Sequence, residues 1–194
     1  MIKIAKLYFK WSCMGAGKSI DLLKTAYNYE ERDQKVWLLT SSIDDRYGKG
    51  KITTRIGLSR NALMIHKRDN ILNIYEDIFI DKFPDVILCD EVQFFQSYHI
   101  DELAKIVDKY NTNVICYGLR TDFKSNLFSA SKRLMEIADK IEELKTMCHC
   151  GNKATQNARI QNDKVIYDGE QIQIGGNESY IALCRNCWKS GIIK

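Results

Sequence analysis

The segment Ser-Cys-Met-Gly-Ala-Gly-Lys-Ser at residues 12–19 constrains the fold of this chain more than any other feature. It matches the phosphate-binding pattern G-x-x-x-x-G-K-[ST] at every required position except the first, where Ser12 replaces glycine. Residues 5–10, just before it, have the pattern of a strand, and residues 18–31 have the pattern of an amphipathic helix. A strand, a glycine-containing turn and a helix in this order predict a P-loop.

The residue types of this turn suit the binding of a polyphosphate. Backbone N–H groups of the turn and of the helix N-terminus point at phosphate oxygens, and the helix dipole adds to that field. Gly17 lets the backbone come close, Lys18 reaches the β- and γ-phosphates of ATP, and the Ser19 hydroxyl ligates Mg²⁺. We therefore predict a nucleotide site made of Ser12, Cys13, Met14, Gly15, Ala16, Gly17, Lys18 and Ser19.

Strand-like and helix-like segments alternate along the next hundred residues, which predicts an α/β fold: a P-loop, RecA-like parallel sheet covered by helices. Residues 42–59 show no clear periodicity, and we interpret them as a long mobile loop with a function. The predicted strands lie at residues 36–40, 62–66, 86–89 and 114–117, and the predicted helices at 71–80 and 100–109. We predict two domains, a P-loop α/β domain at 1–145 and a small β lobe at 146–194.

Two carboxylates close the apolar run Val-Ile-Leu-Cys at residues 86–89. In P-loop proteins an acid in this place serves Mg²⁺ opposite the Ser or Thr of the phosphate turn, which predicts that role for Asp90. Glu91 is then available as a general base that takes a proton from an attacking hydroxyl or water. The nucleophile that Glu91 activates decides between a kinase and an ATPase.

Three aromatic residues, Phe94, Phe123 and Phe128, follow the C-terminal ends of predicted strands. That edge is where ligands bind in an open α/β sheet. Aromatic residues at strand ends also serve packing, so both interpretations stay open at this point.

Seven cysteines are present, and four of them form two close pairs near the C-terminus. In a reducing compartment, paired cysteines indicate a metal rather than a disulfide. We predict a structural zinc site, although the C-x-C pair is one residue tighter than the usual C-x-x-C and His149 is an alternative ligand. The predicted ligands are Cys148, Cys150, Cys184 and Cys187, and Cys13, Cys89 and Cys116 are predicted core residues.

The net charge of +4 is spread along the chain without a basic block, so it does not argue for nucleic acid as a partner. No run approaches the ~18–20 apolar residues that cross a bilayer, and the N-terminus lacks the apolar stretch of a secretory signal. We therefore expect a cytoplasmic protein that binds neither nucleic acid nor membrane.

Together these residues resemble the type II (cytosolic, zinc-containing) thymidine kinases over nearly the whole chain. Ser12, the Asp-Asp-Arg motif and the tight C-x-C pair are similar to the branch found in enteric-type bacteria and their phages. The segments that carry the resemblance are 12–19, Ile43-Asp-Asp-Arg46, Asp90-Glu-Val-Gln-Phe94, Tyr117-Gly-Leu-Arg-Thr-Asp-Phe123, the two cysteine pairs and Ile174-Gly-Gly-Asn-Glu-Ser-Tyr180.

The resemblance implies transfer of the γ-phosphoryl group of ATP to the 5′-hydroxyl of thymidine, and of deoxyuridine, in nucleotide salvage. It implies Glu91 as the catalytic base and Mg²⁺ bound with ATP, alongside structural Zn²⁺. It also implies a homotetramer and feedback inhibition by dTTP. The nucleotide site then also includes Asp44, Arg46, Asp90 and Gln93, and the thymidine site consists of Met14, Phe94, Leu119, Phe123, Phe128, Ile174, Gly175, Gly176 and Tyr180. The thymidine residues from 170 to 180 would form a "lasso" loop that grips the base through backbone hydrogen bonds.

Two other classes of function compete with this one. A P-loop ATPase of the RecA or helicase type would use Glu91 to activate water. A zinc-ribbon binding module would hold ATP only as a structural ligand and contact nucleic acid through Arg159, Lys164 and their neighbours.

Overall fold

The computed structural model describes residues 4–44, 48–173, 175 and 179–194. The helices are α1 (Lys18–Glu30), α2 (Ile71–Ile78), α3 (Ser97–Tyr110), α4 (Ser129–Ile137) and α5 (Arg185–Ser190), with a 3-10 turn at Val92–Phe94. The strands are β1 (Leu7–Ser12), β2 (Val36–Ser41), β3 (Lys51–Thr53), β4 (Ser59–Asn61), β5 (Leu63–Ile65), β6 (Val86–Cys89), β7 (Asn113–Leu119), β8 (Lys140–Glu143), β9 (Gln156–Gln161), β10 (Lys164–Ile166) and β11 (Tyr180–Leu183).

Six parallel strands form the central sheet in the order β5-β2-β6-β7-β1-β8. Alternate residues of these strands face opposite sides, because side chains in a strand alternate. On one side Phe9 and Ile87 pack with residues of α2, α3 and α4. On the other side Leu88 and Tyr117 pack with α1. The predicted parallel sheet covered by helices is confirmed.

The strand that leads into the phosphate turn begins two residues later than predicted and runs to Ser12. Near its start, side chains from distant segments accept the backbone hydrogen bonds: Ala5 N donates to Asn111 Oδ1 at 2.8 Å and Leu7 N donates to Asp139 Oδ2 at 2.8 Å. At its other end β1 stays paired with β7 as far as Ser12. Position 12 therefore belongs to the sheet.

The prediction that residues 42–59 form a loop throughout is wrong for its second half. Strands β3 and β4 make an antiparallel hairpin there. The cause is one apolar anchor, Ile52, which is 1% exposed and packs against Leu22 and Leu23 of α1. A single buried side chain in a polar stretch gives no periodicity to detect.

The C-terminal segment forms a separate antiparallel sheet in the order β10-β9-β11. Ala158 and Leu183 are fully buried in its small core, which also contains three of the paired cysteines. The division of the chain into domains at residue 145 stays a prediction. Within the described part of the chain, no helix is both long and apolar enough to span a bilayer.

Candidate active site

The phosphate turn lies at the C-terminal edge of the central sheet, between the end of β1 and the start of α1. Gly15 and Gly17 both have φ of 78°, a conformation that costs free energy for any residue with a Cβ. Gly17 is also the N-cap of α1, so the helix N-terminus opens directly onto the turn. This is the strand–turn–helix geometry that binds phosphate.

Ser12 holds the lysine of the turn in place. It is 1% exposed, its hydroxyl donates to the carbonyl of Cys13 at 2.8 Å, and Lys18 Nζ donates to that hydroxyl at 3.1 Å. Lys18 Nζ also lies 3.4 Å from the Cys13 carbonyl. Cys13 is 4% exposed, so its thiol does not face the cavity, and this burial raises the pKa of the thiol to about 11. The serine at the motif's first position therefore contacts the lysine that the motif requires.

A hydroxyl and a carboxylate meet where the sequence predicts Mg²⁺. Ser19 Oγ donates to Asp90 Oδ2 at 2.8 Å. Ser19 follows β1 and Asp90 follows β6, and these two strands are separated in the sheet by β7. Burial raises the pKa of Asp90 to about 7, and the negative charge of Glu91 adds to the rise, while the Ser19 hydrogen bond and the charge of Lys18 oppose it. A buried acid that resists ionisation beside a hydroxyl fits a hard divalent cation, which would stabilise the carboxylate.

Glu91 stands at the same edge in a strained backbone conformation. Its φ is 49°, in the left-handed region that non-glycine residues seldom adopt. Gln93 Nε2 donates to Glu91 Oε2 at 2.5 Å, and Gln93 Oε1 accepts from the N–H of Leu119 at 3.0 Å. Gln93 is 3% exposed. The sequence assigned Gln93 to the nucleotide site, and the structure places it at the wall of the cavity, where it orients Glu91.

Gly118 makes room for this arrangement. A Cβ at position 118 would lie 2.7 Å from Val92 Cγ1 and 2.8 Å from Gln93 Oε1. Both distances are shorter than real side chains show, so only glycine fits here without moving the support of Glu91. The sequence gives no signal for this requirement, because it depends on the packing of β7 against the 3-10 turn.

The predicted thymidine residues that the structure describes line one cavity with the phosphate turn. Phe94 and Phe128 meet edge to face with ring centroids 6.2 Å apart, and Phe123 is 1% exposed. The described residues of the predicted site that line this cavity are Met14, Gly15, Gly17, Lys18, Ser19, Asp44, Asp90, Glu91, Gln93, Phe94, Leu119, Phe123, Phe128, Gly175 and Tyr180. Arg46, Ile174 and Gly176 lie outside the described residues.

Arg159 is a buried member of this site that the sequence did not identify. Its Nε and Nη2 donate to the hydroxyl of Tyr180 at 3.0 and 2.8 Å, and that hydroxyl donates to the carbonyl of Gln173 at 2.8 Å. Its guanidinium also lies 3.7 Å from the ring centroid of Phe123. Arg159 is 6% exposed, so it is not on a surface that could contact nucleic acid. This burial argues against the alternative in which Arg159 contacts nucleic acid, and an isolated arginine in a sequence carries no sign of burial.

Asn157 connects the C-terminal sheet to the phosphate turn. The N–H of Met14 donates to Asn157 Oδ1 at 2.8 Å, and Asn157 Nδ2 donates to the carbonyl of Thr121 at 3.0 Å. Asn157 is 4% exposed. One residue of β9 thus joins segments that lie far apart in the chain.

The four paired cysteines lie together as the sequence predicts. Their Sγ atoms are all within 4.8 Å of one another, and those of Cys150 and Cys184 are 3.7 Å apart. Zn–S bonds of about 2.3 Å in a tetrahedron place the sulfurs about 3.8 Å apart, so this cluster fits a Cys₄ zinc ion. The ring of His149 lies 3.2 Å from the carbonyl of Ile192 and is not part of the cluster.

Comparison with known proteins agrees with this geometry. A family model described as "Thymidine kinase" matches residues 5–188. A thymidine kinase of Pasteurella multocida is 48% identical over 191 residues, covering 97% of this chain and 99% of that protein. Thymidine kinases of Shewanella oneidensis and Francisella tularensis are 46% and 44% identical, each covering 97% of this chain and 99% of the relative.

Proposed function

Because this chain belongs to the thymidine kinase family, we propose that it is an ATP-dependent nucleoside kinase that phosphorylates thymidine and deoxyuridine at the 5′-hydroxyl for nucleotide salvage. The observation that carries the proposal is the place of Glu91. It lies in one cavity with the phosphate turn and with the aromatic pocket formed by Phe94 and Phe128. A base between a phosphate donor site and an apolar acceptor pocket suits transfer between two substrates.

In the proposed reaction, Glu91 accepts the proton of the 5′-hydroxyl as that oxygen attacks the γ-phosphorus. The new O–P bond forms while the bond from the γ-phosphorus to the β,γ-bridging oxygen breaks, and ADP leaves with that oxygen. Gln93 orients the Glu91 carboxylate through its 2.5 Å hydrogen bond. Lys18 and the N–H groups of the turn stabilise the negative charge on the phosphates. Asp90 and Ser19 serve the Mg²⁺ that accompanies ATP.

The nucleoside pocket selects its ligand by stacking and by backbone contacts. Phe94 and Phe128, which meet edge to face, provide an apolar wall on which a planar base can stack against one ring. Met14, Leu119 and Phe123 are the other walls described by the structure. We assign the remaining base contacts to the lasso from residue 170 to 180, which includes Gly175 and Tyr180, and also Ile174 and Gly176, which lie outside the described residues. The nucleotide assignments of Asp44 and Arg46 are proposals of the same kind.

Zinc would have a structural role in this enzyme. Three of the four cysteines pack in the small core of the β10-β9-β11 sheet, where a bound metal would add the constraint that a small core needs. We propose residues 1–145 as the kinase domain and residues 146–194 as the zinc-binding lobe. Membership of the family also supports a cytoplasmic homotetramer that is inhibited by dTTP.

The decisive experiment measures transfer of labelled γ-phosphate from ATP to thymidine, with deoxycytidine and deoxyguanosine as comparison acceptors. We expect label in dTMP and little in the other two products. ATP hydrolysis that proceeds equally without any nucleoside would instead support an ATPase and contradict the proposal.

A Glu91→Gln variant tests the role of the base. It keeps the shape of the side chain and removes the carboxylate, so phosphoryl transfer should fall by about 10²-fold or more while nucleotide affinity stays near that of the wild type. Wild-type turnover in this variant would remove Glu91 from the mechanism.

A further inference from the structure

The hairpin of β3 and β4 is fixed along helix α1. Ile52 is buried against Leu22, Leu23 and Ala26 of that helix. Near the other end of the helix, Arg60 makes a bidentate ion pair with Glu30, with nitrogen–oxygen distances of 2.7 and 3.0 Å. Since α1 begins at the phosphate turn, these contacts fix the hairpin relative to that turn.

The tip of the hairpin is a closed turn. The N–H of Thr54 donates to the Leu58 carbonyl at 2.8 Å, and the N–H of Leu58 donates to the Thr54 hydroxyl at 3.0 Å. The N–H of Gly57, whose φ is 89°, donates to the Thr54 carbonyl at 3.1 Å. Thr54 itself is only 4% exposed. These contacts define the direction in which residue 55 leaves the turn.

Arg55 extends from this tip to the phosphate turn. A Cβ built on Gly15 would lie 3.7 Å from Arg55 Nη1, an ordinary van der Waals contact. The arginine also lines the same cavity as Lys18, Ser19 and Asp90. The side chain of Arg55 is exposed. It forms no ion pair with any carboxylate in the part of the chain that the structure describes. The hairpin thus places a guanidinium over the apex of the phosphate turn, where its charge is not neutralised by an acid of that region.

We propose that Arg55 is a phosphate-binding residue that donates hydrogen bonds to the terminal phosphate of the bound nucleotide and stabilises its charge during transfer. This inference rests on the proposed function for the transfer step. The planar guanidinium suits a phosphate because it can donate two parallel hydrogen bonds to its oxygens. The equatorial oxygens of the transferred phosphoryl group carry much of the negative charge, and an arginine supplied by the same chain stabilises that charge in other P-loop enzymes.

The test compares Arg55→Ala and Arg55→Lys with Arg68→Ala, a control that also removes one exposed positive charge but lies outside the cavity. Affinities for ADP, for a non-hydrolysable ATP analogue and for thymidine are measured by calorimetry, and kcat by transfer of labelled phosphate. We expect Arg55→Ala to lower affinity for the triphosphate analogue about tenfold, to change that for ADP much less, and to lower kcat by about 10²-fold. Arg55→Lys should keep part of the affinity for the triphosphate analogue but little of kcat, because an ammonium group cannot donate the two parallel hydrogen bonds of a guanidinium.

Each alternative result overturns the proposal. An Arg55→Ala enzyme that matches Arg68→Ala in triphosphate affinity and in kcat would show that Arg55 is a solvated surface residue. A loss confined to thymidine affinity would assign it to the acceptor side. The affinity measurements need no acceptor nucleoside, so they separate this inference from the proposed function. If the wild type transfers no phosphate to thymidine, the difference in affinity between the ATP analogue and ADP still tests Arg55.

Discussion

Replacing Gly118 by alanine should displace Glu91, the proposed catalytic base, without contacting either substrate. The added Cβ would lie 2.8 Å from Gln93 Oε1 and 2.7 Å from Val92 Cγ1. To reach 3.4 Å, the shortest ordinary contact, the two atoms must move by 3.4 − 2.8 = 0.6 Å and 3.4 − 2.7 = 0.7 Å. The backbone N of Gln93, at 3.2 Å, resists the same movement.

A displacement of this size acts on the reaction through Gln93. That side chain holds Glu91 by a 2.5 Å hydrogen bond, so the carboxylate must follow it or lose this hydrogen bond. A misplacement of about 1 Å at a reacting group can cost about 10²-fold in rate, so we expect kcat to fall between about tenfold and 10²-fold. Overpacking should also cost about 1–3 kcal/mol of the free energy of unfolding.

The assay is steady-state phosphoryl transfer at saturating ATP and thymidine, with nucleotide affinity and thermal unfolding measured on the same samples. Ile106→Val, a fully buried change in α3, is the control for general destabilisation, at about 0.5–1.5 kcal/mol. It should leave kcat unchanged. A folded Gly118→Ala enzyme whose kcat is within twofold of the wild type would refute the argument that Gln93 orients Glu91.

Three further outcomes follow from the same geometry. The pKa of Asp90 in the folded protein is about 7, above its ordinary value of 3.8, so the folded protein binds this proton more tightly than the unfolded chain does. In the absence of Mg²⁺ and nucleotide, the free energy of unfolding should therefore fall as the pH rises from about 3.8 to about 7. Thermal unfolding at pH 5 and pH 8 measures this, and Asp90→Asn should flatten the difference. Removing zinc with a chelator should abolish thymidine binding and leave weak nucleotide binding; calorimetry that finds thymidine affinity unchanged in zinc-free protein would contradict the structural role of the cysteine cluster. Asn157→Ala should raise the KM for ATP about tenfold, because it leaves the Met14 N–H without its acceptor at a cost of about 1–3 kcal/mol. Gln161→Ala, at an exposed position of the same strand, is the control and should leave the KM for ATP unchanged.

The sequence predicts those parts of the site that local motifs determine. The phosphate turn, the acids that follow β6 and the cysteine pairs each lie in a short segment whose residue types are dictated by their ligand. The meeting of the phosphate turn and the acids at one edge of the central sheet also follows, because parallel strands with helical connections align their C-terminal ends. The central sheet could be predicted for the same reason, from apolar runs such as residues 86–89.

Residues that act across the fold could not be predicted in this way. Gln93 orients Glu91 only because β7 brings Gly118 beneath it, and Asn157 reaches the phosphate turn from a position 143 residues away. Helix α4 and strand β8 were not predicted either. The serine at position 12, a departure from the motif, has a physical reason only once Lys18 is seen to donate to it.

Strand β9 links the sheet that carries the cysteine cluster to both parts of the candidate active site. Asn157 and Arg159 are two residues apart, so they leave the same face of the strand about 7 Å from each other. One holds the backbone of the phosphate turn at Met14, and the other holds Tyr180 and stacks on Phe123 in the acceptor pocket. Because the strand is rigid, folding of this sheet sets the distance between the donor and acceptor sites. Zinc bound at the cysteine cluster would therefore stabilise the relative placement of the two substrates through this strand.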